Sequence, residues 1–375
     1  IMSSNGATTT QASVQGSGSS VTSFQWLGGS SGWMMGQAGG SSGYSHVSTL
    51  NALGMQKVVD LPGLVSGQVP TMISNATHIW AAVGGQPGQN QISGTGSGLL
   101  QGAFLPNGEV EWQFGWTLAG NSEVNDLYLS GTDLFIASNP TGMIKLDTTT
   151  RTMTAINGAV HNKFDTMHLY GSELIIGLAG DGGSPPGVQV FDLTTEQFGN
   201  GRLVAGLPSS IVNGFAAPSN IMYVATNGGI GRFNYTLSDW MDPITSGLPS
   251  SVVEDIVAIG TDIYIATPAG LYVWDESTNT GSTYTTANGL MGNSVWGLST
   301  SNGANGAVTL IMSHDGRGAE RPGVTMMDTS SQLVTATHRF DQLPSNGVIS
   351  LASDWWGLHI GTDTGPLTHW NGSSG

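Results

Sequence analysis

One phrase, "VVEDIVAIGTDIYIAT" at residues 252–267, recurs along the whole chain. It opens with an apolar pair spaced i, i+3 (Val253 and Ile256), passes a short turn, and enters an apolar run ending in a small residue, Ala266. The pair returns as Val21/Phe24, Val69/Met72, Val124/Leu127, Phe164/Met167, Val212/Phe215, Val295/Leu298 and Val348/Leu351. The run returns with it as "WMMG", "IWAA", "LFIA", "LIIG", "MYVA" and "LHIG", and without the small end as "TLIM". From the second member of the pair to the end of the run is ten residues in six of the eight copies. A constant offset of this kind marks a repeat architecture.

Each copy continues through a Gly- or Pro-containing turn into a third segment, such as "GMIKLD", "GVQVFD" or "GLYVWD", and then a looser fourth. Short runs rich in β-branched and aromatic residues, bounded by Gly, Pro, Asn and Asp, read as strands. The units begin near residues 21, 69, 124, 164, 212, 253, 295 and 348. Their middle strands are apolar on both faces, since Ile263, Tyr264, Ile265 and Ala266 present no polar side to water. Such a strand must be covered twice, which like units stacked face to face achieve and a single unit does not.

These arguments predict an all-β chain, a single β-propeller of four-stranded antiparallel blades over residues 1–375. Eight blades are expected, with "ATTTQASVQ" (residues 7–15, within an N-terminal segment 1–20) as the outer strand that closes the last one. Closure of that kind hides an unpaired edge. A seven-bladed ring followed by a unit of a further domain is the alternative.

The phrases "GLPSSVVEDI" with "IYIATPAGLYVWD", and "LPSNGVISL" with "LHIGTDTGPLTHW", resemble the propeller repeat of bacterial two-component regulators along nearly the whole chain. The resemblance implies the fold. It does not imply a role, because that family joins extracytoplasmic sensor propellers to signalling kinases and no kinase segment stands in this sequence. The Asp-box of sialidase-type propellers is matched only loosely, by "SDWWGLHIG" at 353–361.

Composition narrows the function. The formal charge is −16, from 25 acidic against 9 basic residues, which repels phosphate backbones and argues against a nucleic-acid partner. Cysteine is absent, so disulfides, thiolate metal sites and cysteine nucleophiles are excluded. No membrane-spanning run of apolar residues occurs. The first residue is Ile with no signal-like leader after it, which reads as a processed or excerpted chain. The Ser/Thr/Gly/Asn-rich, lysine-poor surface suits an extracellular or cell-surface location. Three Asn-x-Ser/Thr sequons stand at Asn75, Asn234 and Asn371, a number that composition alone accounts for.

Aligning the repeats compares the two residues inside each pair. Asp126, Asp165, Glu254 and Asp255 fall there, in strands expected to line a central channel, and would form an acidic mouth for a cation or a sugar. A solvated polar lining is the plainer reading. Trp296 lies in the same register, and Trp355 and Trp356 are further exposed-aromatic candidates. The loop "SHDGRGAERPG" (313–323) carries His314, Asp315 and Arg317 as binding candidates, beside Glu320 and Arg321. A second insertion, "AGDGGSPPG" (179–187), carries Asp181. Either loop offers oxygens to calcium, without the EF-hand spacing. No catalytic motif is found, and a glycosidase needs two facing carboxylates whose separation sequence does not show. The reading is a non-enzymatic binding or structural module without an obligate cofactor, with other protein subunits or surface glycans as partners. A carbohydrate-active lyase or hydrolase and a ligand-sensing receptor domain are the rivals.

Overall fold

The computed structural model describes residues 2–4, 7–11, 21–26, 33–37, 44–50, 56–65, 71–83, 98–105, 110–118, 122–178, 187–199, 207–209, 211–237, 239–302, 308–314, 323–339, 348–354, 357–362 and 368–370. The fold is all-β and propeller-like. Among the described residues the sole helical element is one 3-10 turn, Thr286–Asn288. No helix there is long and apolar enough to cross a membrane. The chain divides into two compact units, Ile1–Asp165 with Trp355–Gly375, and Thr166–Asp354.

Six four-stranded antiparallel sheets carry described side chains. They begin at Met72–Ser74, Glu123–Ser130, Phe164–Tyr170, Val212–Ala216, Asp255–Ile259 and Val295–Asn302, the third of these strands containing the division between the units. In each the strands stand side by side in chain order, so every connection is a hairpin. The first unit holds two further groups described in backbone. Val21–Trp26, Trp33–Gln37, Tyr44–Leu50 and Gln56–Val65 form one sheet. In the other, Met2–Ser4, Ala7–Gln11, Thr368–Trp370 and Gly357–Thr362 lie side by side in that order. Thr9 there faces Trp370 and Gln11 faces Thr368, so a strand from the start of the chain pairs with the last one. Of the segment 7–15, expected as an outer strand, Ala7–Gln11 is a strand with Met2–Ser4 paired on its far side, and residues 12–15 lie outside the described residues.

Double coverage of the middle strands follows the apolar pattern. In Asp262–Thr267, Ile263 and Ile265 enter the apolar cluster shared with the preceding sheet, with Tyr223, Ala225 and Val253. Tyr264 and Ala266 enter the opposite cluster, with Val295, Leu310 and Met312 of the following sheet. Strand pleating sends alternate residues to opposite faces, so an unbroken apolar run fills two cores at once. The small residue at the end of the run makes room for the next repeat. A Cβ on Gly177 would stand 2.8 Å from Thr166 Cγ2 and 3.1 Å from Val212 Cγ1, the latter belonging to the next sheet.

The hairpins are built alike. Ser138, Thr226 and Thr267, each directly after the small residue, donate their hydroxyls to the carbonyls of Gly142, Gly229 and Gly270 at 2.7 Å. At the following turn an Asx residue ends the third strand and accepts the amides two or three residues on. Asp147 takes Thr149 and Thr150, Asp192 takes Thr194 and Thr195, Asp275 takes Ser277, and Asp328 takes Ser331. Four residues after each of these aspartates the backbone turns left-handed, at Arg151, Glu196, Asn279 and Gln332.

Those donors hold the turn carboxyls below their ordinary value. Amides dominate at Asp147 and Asp192, the Ser277 hydroxyl at Asp275, and the Ser330 hydroxyl at Asp328, which falls to about 2. A carboxyl lowered by folding stabilises the fold above its unfolded value, and that contribution is lost as pH falls towards the folded value. The melting temperature is therefore expected to drop between about pH 4 and pH 2. Asp328→Asn should soften the drop while keeping the turn, because Asn234 already accepts the Leu237 amide in the corresponding place. Melting curves across that window check this; an unchanged slope in the variant would remove Asp328 from the acid response.

Candidate functional site

The i, i+3 apolar pairs have a local cause that sequence reading missed. In a regular strand residues i and i+3 face opposite ways. Here register slips by one residue between Val124 and Asp126, between Val212 and Gly214, and between Val295 and Gly297. A bulge therefore sits on Asn125, Asn213 and Trp296. The extra residue restores the pair to one face, and Val124 and Leu127 are both buried. Bulges also re-aim the side chain they carry.

The re-aimed side chains fasten one repeat to the next. Asn125 Nδ2 donates to the carbonyl of Phe164 at 2.8 Å, and Asn213 Nδ2 donates to that of Val253 at 2.6 Å. Both acceptors open the pair of the following repeat. The neighbouring register position does the same with a carboxylate. Asp255 Oδ1 accepts the amide of Ile256 and its Oδ2 accepts that of Leu298, in the next sheet, both at 2.8 Å. Asp126 Oδ1 repeats the local half of this arrangement with the Leu127 amide at 2.8 Å. A signal was present in the sequence: Asn stands at the same place of two repeats, 125 and 213.

Within the second unit the structure gathers several of the sequence candidates. Val212–Ala216 lies against Asp255–Ile259, which lies against Val295–Asn302, so Asp255 sits among three first strands. Gly214 and Gly297 flank its carboxylate, and a Cβ at either would stand 3.9 or 4.0 Å from it, in ordinary contact. Glu254 donates its amide to the Ala266 carbonyl at 2.9 Å. Trp296 is half-buried on its bulge. His314 is fully buried rather than on a loop. Its Nδ1 is 3.2 Å from the Ser294 carbonyl and must donate to it; its Nε2, 2.8 Å from Thr325 Oγ1, then accepts the hydroxyl. That ring is a strut. In the first unit Asp165 Oδ1 lies 3.3 Å from Asn125 Nδ2. Asp315, Arg317, Glu320 and Arg321, Asp181, and Trp355 and Trp356 lie outside the described residues.

Burial pushes the Asp165 and Asp255 carboxyls up, at Asp255 against the two amides that pull it down. The sign is opposite to that of the turn aspartates. Their share of stability is largest below the ordinary carboxyl range and is lost as pH rises through the raised folded values. Chemically, Asp255 is a desolvated acceptor held on two backbone amides, and Asp165 is a partly buried one beside the Asn125 side-chain amide. Among the described residues no three His, Asp or Glu side chains converge as a metal-binding group.

No family model and no curated protein matches this chain. In structure it is similar to the computationally designed Ika8 protein, with a TM-score of 0.65 at 15% identity over 96% of this chain and 98% of that one. It is also similar to the extracellular domain of the hybrid two component system BT3049 from B. thetaiotaomicron, with a TM-score of 0.50 at 15% identity. That match covers 80% of this chain and 38% of the other, so the chain spans well under half of that neighbour. At such identities the likeness concerns the fold alone.

Proposed function

We propose that the repeats close into one eight-bladed β-propeller that works outside the cell as a non-enzymatic binding or structural module. Its partners on this reading are other protein subunits or surface glycans. The observation that carries it is the use made of the polar residues inside the pairs. Asn125, Asn213 and Asp255, at the positions where a channel site would be built, bond backbone groups of the following repeat. Groups so engaged serve the scaffold first. Two facts support the ring: Ala7–Gln11 pairs with Thr368–Trp370, and Gly357–Thr362 lies against Val21–Trp26 within the same unit. The extracellular assignment draws on the neighbour described as an extracellular domain.

The rival with a working acidic mouth makes a different forecast. A cation held by Asp126, Asp165, Glu254 and Asp255 would raise the melting temperature by mass action. The scaffold reading expects a melt indifferent to calcium. It also expects Asp126→Asn with Asp255→Asn to lower the melt equally with and without calcium, because an amide nitrogen does not accept from Leu298 N–H. A calcium-dependent rise that the double variant abolishes would overturn it in favour of a cation site. Incubation with a panel of acidic and neutral polysaccharides tests the enzymatic rival: binding without new chain ends is expected, and new ends would sink the non-enzymatic reading.

A further inference from the structure

The hairpin between Met72–Ser74 and His78–Val83 is formed by one of the three sequons, Asn75-Ala76-Thr77. We propose that Asn75 is an N-glycan attachment site, an inference that rests on the extracellular reading above. The acceptor atom is Asn75 Nδ2, and the co-substrate is a lipid-linked oligosaccharyl diphosphate. Nδ2 attacks C1 of the first sugar and passes one proton to a basic group of the transferring enzyme. The C1–O bond breaks, and the lipid diphosphate leaves with the electron pair.

The geometry of the turn separates the two ends of the amide. Asn75 Oδ1 accepts the amides of Thr77 and His78 at 2.9 and 2.8 Å and the Thr77 hydroxyl at 3.1 Å. The Asn75 amide donates to the His78 carbonyl at 2.9 Å and closes the turn. His78 Nδ1 is 2.8 Å from Thr77 Oγ1; with Nδ1–H as donor, the Thr77 proton is directed to Asn75 Oδ1. Every bond of the Asn75 side chain is thus on its oxygen, while Nδ2 makes none among the described residues. Three donors on that oxygen draw charge from the amide nitrogen and ease loss of its proton, which the attack requires. Asn75, Ala76 and Thr77 are all exposed, so a bulky branched sugar is accommodated in solvent without moving a strand.

The sequon at Asn234 is built differently. Asn234 is paired on both sides, with Ile221 and Asp239. Tyr235 is stacked on Tyr170 with centroids 3.7 Å apart and rings 7° from parallel. The Thr236 hydroxyl is held by Asn220 Nδ2 at 2.9 Å rather than by Asn234. A glycan there would have to part a packed layer. Asn371 lies outside the described residues.

The test is site-resolved mass spectrometry on the full chain, secreted from a eukaryotic cell behind an added leader and treated with a glycan-releasing amidase that leaves aspartate. Occupancy at Asn75 is expected in most molecules, several-fold above that at Asn234. Thr77→Val should abolish it and Thr77→Ser should retain it, with both variants secreted as well as the parent. An unmodified Asn75 in the secreted folded parent, or equal occupancy at Asn234, overturns the proposal. Because the leader forces the chain through the secretory route, either result leaves the extracellular reading standing. That reading fails separately, if the native chain is found inside its own cells.

Discussion

Gly270→Ala is expected to destabilise the protein by about 2–5 kcal/mol, the sum of backbone strain and a forced clash. Gly270 starts the third strand of its sheet with φ at 147°, where a side chain is strained whatever the space around it. The added Cβ would also stand 2.6 Å from the Tyr284 carbonyl oxygen. That oxygen belongs to the backbone of the adjacent strand, and a flexible side chain is not there to yield. Nor is Gly270 free to retreat, because its carbonyl accepts the buried Thr267 hydroxyl at 2.7 Å and it pairs with Thr267. Gly229 repeats the arrangement against the Ile244 carbonyl at the same 2.6 Å, so the requirement belongs to the repeat. Gly260→Ala is the control. It too has a positive φ, but nothing lies within 4 Å of its Cβ, and its cost should stay near 1 kcal/mol. Denaturant titrations of both variants give the comparison. If Gly270→Ala costs no more than Gly260→Ala, the close approach of the two strands is not a constraint on the fold.

Removal of residues 1–18 is expected to cost about 3 kcal/mol, on the order of one for each of the three paired residues lost. Those residues are Thr9, Thr10 and Gln11, which face Trp370, His369 and Thr368. The loss leaves Thr368–Trp370 with an unpaired edge, and an uncovered edge invites pairing with another chain. The truncated protein should therefore melt lower and also show association that grows with concentration, read by light scattering. A parental melt and a monomeric profile would show that the N-terminal strand does not secure the edge of Thr368–Trp370.

The strands themselves were legible in the sequence because their causes are local. An apolar run such as Ile263–Ala266 has no polar face, so it had to be covered from both sides, and the run does fill two cores. The turn residues Asp147, Asp192, Asp275 and Asp328 closed the third segment of four repeats at the same place, and each accepts an amide two or three residues on. In six of the eight copies a constant ten-residue offset tied each apolar pair to the run that follows it.

What the polar residues between the apolar pairs do was not legible. Asn125 finds its partner 39 residues away, at Phe164, and Asp255 finds one 43 residues away, at Leu298. Periodicity registers which face of a strand a residue occupies; it does not register how near the neighbouring sheet stands, and that distance decides whether a carboxylate lines water or holds an amide. His314 shows the same division. Its position in a loop-like stretch suggested a binding group, while packing made it a buried strut between Ser294 and Thr325. Sequence thus determined the strands, their order and the need for a second cover on every middle strand, because each follows from contacts within a hairpin or from the loss of water at an apolar face. The tertiary structure alone decided which polar groups join one sheet to the next, because those bonds depend on the spacing of sheets that meet only after folding.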